Sequence, residues 1–215
     1  RRRDLMTASL DAIFKEPIDE ALVPCSVESK LFGVGVESYT VASHEYALGY
    51  ALSRGKLYTL DAGHFHPTEV ISAKITAVLQ FLDKILLHVS RGVRWDSDHV
   101  ITLDDELMRI MDEIIWNGLE ERVFIGLDYF DASINRIAAW AIGMRNARKA
   151  LLKSCLAPAR AIREVEYAGD YTARFAALED RKTMPFGAVW AHYCEQRGTP
   201  QDGEWLAIAR AYERG

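Results

Sequence analysis

Four residues of the 215 combine a metal-binding side chain with a place at the end of an apolar, β-rich run: Glu28, Asp61, His88 and Asp128. Three carboxylates and one imidazole make an oxygen-rich, hard donor set. It suits Mn²⁺, Mg²⁺ or Co²⁺ and fits copper or an iron–sulfur cluster poorly. A second group of donors lies just beyond. Asp61-Ala-Gly-His64 puts an imidazole three residues past a carboxylate, and Arg94-Trp95-Asp96-Ser97-Asp98-His99 puts two carboxylates two residues apart, after His88. Two ions sharing a carboxylate such as Asp61 would polarise two substrate oxygens and activate a water. Glu28-Ser29-Lys30 adds a cation that could stabilise charge developing on a carbonyl oxygen. Singly, each feature has a plainer reading: a turn-capping Asp, a solvated Asp-x-Asp loop, a surface lysine. Four donors in register weaken that reading.

Such register needs a scaffold that brings successive strand ends to one mouth. The β-rich runs are Ser26–Glu28, Leu57–Asp61, Ile85–His88 and Val123–Asp128. The last two are continuously apolar, as strands buried on both faces of a parallel sheet are. Helical patterns follow. Glu37–Ser53 ends at Gly55. A stripe at Ile71, Ile75, Val78, Leu79 and Leu82 has Pro67 where a first-turn proline is tolerated. Leu107, Ile110, Met111 and Ile114 repeat the stripe, with Thr102-x-x-Asp105 as a capping box and Asn117-Gly118 as the stop. Ile134–Leu156 ends at Pro158. One helix followed by four βα units predicts parallel strands with right-handed crossovers, and in a parallel barrel the donors would gather at the C-terminal strand ends. The strand signal then disappears, and helices over Glu164–Glu179, Phe186–Arg197 and Glu204–Tyr212 predict an extension packed on the barrel's exterior. The expected division is residues 1–160, the metal-carrying βα part, and 161–215, the extension, with no Pro-, Gly- or Ser-rich linker between them.

Composition narrows the class. Apolar residues make up 49 % and charged residues 27 %, which describes a soluble globular chain. A net charge of −5 gives no basic field for nucleic acid. Lys74, Asp83 and Lys84 are among the charges that interrupt every candidate membrane span. Arg1-Arg2-Arg3-Asp4 leads into no apolar segment of a secretory signal. Cys25, Cys155 and Cys194 lack metal-ligand spacing, and buried reduced thiols in a cytoplasmic protein are expected.

Longer runs carry a resemblance. Val27-Glu-Ser-Lys-Leu-Phe-Gly-Val-Gly, Asp61-Ala-Gly-His-Phe-His-Pro-Thr-Glu, His88-Val-Ser-Arg-Gly-Val-Arg-Trp-Asp-Ser-Asp-His and Gly126-Leu-Asp-Tyr-Phe-Asp-Ala-Ser-Ile-Asn-Arg closely resemble the L-rhamnose isomerase family, in the same order. The resemblance extends into the tail at Gly169-Asp-Tyr-Thr-Ala-Arg and covers essentially the whole chain. Xylose isomerase and the wider sugar-isomerase group share the ligand layout and Glu-x-Lys but not these runs.

The resemblance implies a structural metal held by Glu28, Asp61, His88 and Asp128, and a catalytic metal near His64, Asp96 and Asp98 with Asp61 shared. The ion is expected to be Mn²⁺ or another divalent ion such as Co²⁺, Mg²⁺ or Zn²⁺, two per active site. Lys30, His64 and Asp96 are the expected catalytic residues, with Lys30 contacting substrate. The match assigns metal ligation to His64 rather than His66, while Phe65 and His66 could shape the pocket. Trp95 is placed either to stack on a sugar ring or simply to pack. The implied reaction interconverts L-rhamnose and L-rhamnulose by ring opening and hydrogen transfer between C1 and C2. Both a hydride shift and an enediol route are open, and the resemblance favours the first. It also implies a homotetramer. The chain departs from the family in length: a complete barrel needs eight strands and about 250 residues, so the resemblance implies the second half of a (β/α)8 TIM barrel, four βα units with a C-terminal helical extension, with the first four βα units expected to be missing. With open edges, such a half-barrel is expected to be weakly folded or self-associating and poorly active alone. An isomerase for a related aldose, a non-catalytic metal-binding half-barrel and a two-metal hydrolase are the competing readings. Glu28-x-Lys30 and the long runs argue against the hydrolase.

Overall fold

The computed structural model describes residues 1–30, 41–66, 68–93, 98–131 and 133–214. Four strands, β1 (Ser26–Glu28), β2 (Leu57–Asp61), β3 (Ile85–His88) and β4 (Val123–Gly126), form one sheet in that spatial order, with every neighbouring pair parallel. Helix α1 (Arg2–Ile13) precedes the sheet, and α2 (His44–Arg54), α3 (Ser72–Val78), α4 (Asp105–Trp116) and α5 (Arg136–Leu156) follow the four strands in turn. Parallel strands need such crossovers, because a tight hairpin cannot return the chain in the same direction.

Register divides the side chains into two faces. Val27 pairs with Tyr58, Tyr58 with Ile85 and Ile85 with Val123, so these lie on one face, joined by Leu60 and Leu87. All of them are buried under the helices, against Ala47 and Ala51 of α2, Ile75 and Val78 of α3, Ile110, Met111 and Ile114 of α4, and Ala147 and Ala150 of α5. The other face carries Glu28, Thr59, Asp61, His88 and Gly126. The side-chain period of two therefore separates a core face from the face that carries the donors, which also bears Leu57, Leu86 and Phe124. On the last strand, Phe124 is 43 % and Ile125 37 % exposed.

Several boundaries differ from the sequence expectations, each for a local reason. Strand β4 ends at Gly126, so Asp128 lies in the connection that follows. Helix α2 starts after Ser43, whose hydroxyl accepts from Tyr46 N–H, and residues 37–40 of the expected helix lie outside the described residues. Pro67 also lies outside them, and α3 itself starts at Ser72. Helix α3 stops at Val78 although the apolar stripe runs on to Leu82. Arg122 donates to the carbonyls of Leu79, Leu82 and Asp83, giving the chain beyond the helix partners that a further turn would otherwise have supplied. The cap of α4 is Asp104, which accepts from Leu107 N–H at 3.0 Å, while Thr102 donates to the Asp104 carboxylate instead of capping. The expected helix Glu164–Glu179 is broken in two, α6 (Ala159–Tyr167) and α7 (Tyr171–Asp180). The break falls at Gly169, with φ +76°, followed by Asp170, which caps α7 through Ala173 N–H. Of the three free cysteines only Cys194 is buried; Cys25 is half-buried and Cys155 exposed, because the apolar face of α5 turns away from Cys155.

Helices α6, α7, α8 (Gly187–Gln196) and α9 (Glu204–Arg214) make up the tail. Arg181 pairs with the buried Asp112 of α4 and stacks on Trp116, and Arg163 donates to the Trp116 carbonyl. Arg145 of α5 donates to the Pro200 carbonyl at 2.9 Å. A cavity of about 1020 Å³ lies between α4 and the tail, on the helical side and away from the polar face of the sheet. Among the described residues no helix is long and apolar enough to cross a membrane.

Candidate metal centre

Asp61 is the pivot of the polar face. It ends β2 with a fully buried side chain, and its Oδ1 is occupied: it accepts from Gly63 N–H at 2.7 Å and from Ser90 Oγ–H at 2.9 Å. The first of these bonds closes a 3-10 turn, Ala62–His64, which folds His64 back over the strand end. The second oxygen, Oδ2, lies 3.3 Å from His88 Nδ1 and 4.0 Å from His64 Nδ1. His88 stands directly opposite Asp61 across the ladder. Its ring has room because the next residue in register is Gly126; a Cβ there would come within 3.0 Å of His88 Cδ2.

Glu28 arrives from β1, with Oε1 2.8 Å from His64 Nδ1 and 3.7 Å from His88 Nδ1. Asp128 closes the group from beyond β4, its Oδ2 3.4 Å from His88 Nδ1. The structure thus gathers the expected set Glu28, Asp61, His88 and Asp128 around one imidazole nitrogen. Of the second expected set, His64 Nε2 lies 3.5 Å from Asp98 Oδ2 and 3.1 Å from Lys30 Nζ. Asp96, with Trp95, lies outside the described residues. His66 is exposed and hydrogen-bonded to Thr68, apart from the cluster.

A cation fits this donor set on the cluster's own accounting. Glu28 Oε1, Asp61 Oδ2 and His88 Nδ1 are all buried and face one another and His64, with no hydrogen bond to a group outside the cluster. Buried polar atoms are ordinarily satisfied, and carboxylates and imidazoles converging in this way are costly unless positive charge, as protons or a metal ion, is shared among them. Two overlapping triads offer donor atoms within 4.8 Å of one another: Glu28, Asp61 and His64, and Asp61, His88 and Asp128. Asp61 belongs to both.

Electrostatics points the same way. Close contact with Asp61 and Glu28 lifts the His88 imidazole to about 10. Burial disfavours a charged His64, but Asp98, Glu28 and Asp61 outweigh it and lift that ring to about 10 as well. Burial works against the Glu28 carboxylate, yet the two imidazoles hold it well below its usual range, while burial pushes Asp61 up. Burial likewise opposes Asp98, and the His64 ring beside it brings it down. The cluster attracts positive charge, whether protons or a metal ion.

Ser90, Ser29 and Gly126 serve this site without having been singled out from the sequence. Ser90 bridges Asp61 and lies 3.5 Å from Asp98 Oδ1. Its signal was present: two residues past His88 is the same face of an extended chain.

Comparison with known proteins gives this geometry a family. The family model for L-rhamnose isomerase (RhaA) matches residues 1–215. This chain belongs to the L-rhamnose isomerase family. Proteins named L-rhamnose isomerase from Escherichia fergusonii and Shigella sonnei are each 57 % identical to it over 212 residues, covering 99 % of this chain and 51 % of theirs. One from Escherichia coli O157:H7 matches to the same extent. The chain therefore spans about half the length of the curated L-rhamnose isomerases it matches. The family resemblance drawn from the four motif runs is borne out.

Proposed function

We propose that this chain is the metal-binding, C-terminal half of an aldose–ketose isomerase that interconverts L-rhamnose and L-rhamnulose. The observation that carries the reading is the convergence of Glu28 Oε1, Asp61 Oδ2 and His88 Nδ1, buried and without a hydrogen bond outside their own cluster, in a chain of this family. In this reading Glu28, Asp61, His88 and Asp128 hold one ion, and His64, Asp96 and Asp98 hold a second with Asp61 shared. Mn²⁺ is the proposed ion, with Co²⁺, Mg²⁺ or Zn²⁺ able to replace it. A divalent ion bound here supplies Lewis-acid polarisation of adjacent sugar oxygens.

The chain's own residues do the rest. Gly63 and Ser90 hold Oδ1 of Asp61, so that Oδ2 faces the site in one orientation. The Lys30 ammonium, at the exposed rim beside His64, donates to the carbonyl oxygen of the opened sugar and stabilises charge developing there as hydrogen passes between C1 and C2. Asp98 keeps positive charge near His64 and helps orient its ring.

The all-parallel order β1-β2-β3-β4 with a helix after each strand supports the second half of a (β/α)8 barrel, residues 1–160, carrying a helical extension over 161–215. Exposed Phe124 and Ile125 on β4, with Leu22 and Val23 before β1, support a sheet whose two sides are finished by further chain. A homotetramer in the cytoplasm belongs to the same proposal.

The test is complementation. The chain is co-expressed with the N-terminal half of the Escherichia coli relative and assayed for ketose formation from L-rhamnose with Mn²⁺. We expect turnover that needs both halves and is abolished by EDTA, with the 215-residue chain nearly inactive by itself. Full turnover by the chain alone would remove the half-barrel reading. A complemented protein that binds no Mn²⁺ would remove the metal reading. A sugar panel in which another aldose is preferred would replace the substrate.

A further inference from the structure

Outside the ligand set lies a buried polar relay that ends at His64. Tyr58, fully buried in β2 on the helical face, has its hydroxyl 2.6 Å from His44 Nδ1 and 3.0 Å from Ser29 Oγ. Ser29 then reaches the site through its backbone: its carbonyl lies 2.9 Å from His64 Nδ1 in good donor geometry. The next residue is tied down as well, Lys30 N–H donating to the Ala42 carbonyl at 2.8 Å, two residues before His44. The His44 ring packs edge-on against both Tyr58, at 5.5 Å, and Phe65, at 5.4 Å, and Phe65 directly follows His64. One side chain in the first turn of α2 therefore grips both ends of the geometry: the β1 terminus through Tyr58 and Ser29, and the turn bearing His64 through Phe65.

Burial, helped by the nearby Lys74 charge, holds His44 below its ordinary value and so favours a neutral ring. Burial pushes the Tyr58 phenol up, so the hydroxyl keeps its proton and bonds both His44 Nδ1 and Ser29 Oγ. These bonds fix the Ser29 segment with its carbonyl aimed at His64 Nδ1.

That matters because an imidazole ligates through one nitrogen while the hydrogen bond made by the other decides which. The two nitrogens of His64 face different partners. Nδ1 is near Glu28 and Asp61, whereas Nε2 is near Asp98 and Lys30. We propose that His44 and Tyr58 are positioning residues that, through Ser29, commit His64 Nδ1 as a hydrogen-bond donor and assign Nε2 as the metal-ligating nitrogen. The inference rests on the reading of His64 as a ligand given above, and it assigns His64 to the Asp98 side of the site.

The test uses the complemented protein, ¹⁵N-labelled at histidine and loaded with Zn²⁺, together with Mn²⁺ titrations. Long-range ¹H–¹⁵N spectra should show His64 protonated at Nδ1 and ligated at Nε2. Tyr58→Phe keeps the ring and removes the hydroxyl. It should give mixed His64 states and weaken Mn²⁺ binding about tenfold, the lower end of the range for lost outer-shell partners. Ser29→Ala cuts the same link without touching the aromatic core, should act in the same direction, and decides the matter if Tyr58→Phe does not fold. Ligation through Nδ1 in the parent, or an unchanged His64 spectrum and Mn²⁺ affinity in the folded variants, would overturn the inference while leaving the metal reading intact. A parent that binds no ion overturns both.

Discussion

The two walls of the site are built differently. On the β1–β2 side, Asp61 is fully buried, its Oδ1 has two donors, and His64 is fixed by the turn that Asp61 itself caps. On the β3–β4 side, His88 is held by register, but Asp128 hangs two residues past the end of β4 with its side chain 62 % exposed. The first wall is preorganised by its own hydrogen bonds. The second depends on what packs beside an edge strand whose Phe124 and Ile125 are open. A metal site can thus have one rigid and one adaptable side, and the rigid side should dominate affinity, since ordering it costs little on binding.

The largest effect expected is that of Asp61→Asn, because Asp61 serves both triads. Losing a shared carboxylate should exceed the effect of losing an outer-shell partner, itself about 10–100-fold. Mn²⁺ titration of the complemented protein should show both ions lost or weakened by at least about 100-fold. Retention of one ion at parental affinity would mean that the walls do not share Asp61.

Next comes pH. His64 and His88 are both raised to about 10 from 6.5. A group with a raised folded value stabilises the ion-free chain fully below its unfolded value and loses that contribution as pH climbs through the folded one. The ion-free protein should therefore lose stability between about pH 6.5 and 10. Metal binding runs the other way: the imidazoles must shed protons to ligate, so affinity should rise with pH, up to about tenfold per pH unit for each proton displaced. Calorimetry in buffers of different ionisation enthalpy counts those protons. An affinity flat between pH 6 and 8 would contradict the protonated cluster.

Asp128→Asn should cost less than Asp61→Asn, about tenfold and in one ion only, because the proposed ligand is exposed and lies beyond a strand end. Equal losses from the two substitutions would erase the distinction between the walls.

What the sequence made legible follows the same division. Three strands end where the β-rich runs placed them, at Glu28, Asp61 and His88, although β3 is buried on alternate residues rather than on both faces. Asp128 was read into its strand although β4 stops at Gly126, since pairing at an edge is set by the neighbour rather than by the run of apolar residues. The stripe marked the buried Ile71, Ile75, Val78 and Leu79 and the partly buried Leu82, but not the end of α3, where Arg122, forty positions away, takes up the carbonyls. Capping by Asp104 rather than Thr102, and the split at Gly169, turn on which of several polar residues wins a hydrogen bond. Ser29 and Tyr58 were invisible for a related reason. Their role is a tertiary chain of hydrogen bonds in which neither residue type is distinctive.

The smallest effect on metal binding, and the sharpest on the second wall, should come from Gly143→Ala. Alanine in mid-helix ordinarily gains up to about 1 kcal/mol over glycine. Here a Cβ on Gly143 of α5 would meet Tyr129 Oη at 1.9 Å and Cζ at 2.4 Å, and Tyr129 is buried, with its hydroxyl donating to the Ala139 and Trp140 carbonyls. Overpacking costs about 1–3 kcal/mol, which exceeds the propensity gain, so the net sign is destabilising and the melting temperature should fall. Tyr129 adjoins Asp128, so its displacement should disturb the β3–β4 ligand and weaken one ion by no more than a few-fold while the Glu28, Asp61 and His64 side keeps its affinity. Adding Tyr129→Phe should not restore stability, because the ring carbon at 2.4 Å remains in the way. Rescue by phenylalanine would place the conflict at the hydroxyl alone, and a rise in melting temperature would show that the second wall yields even to a buried clash.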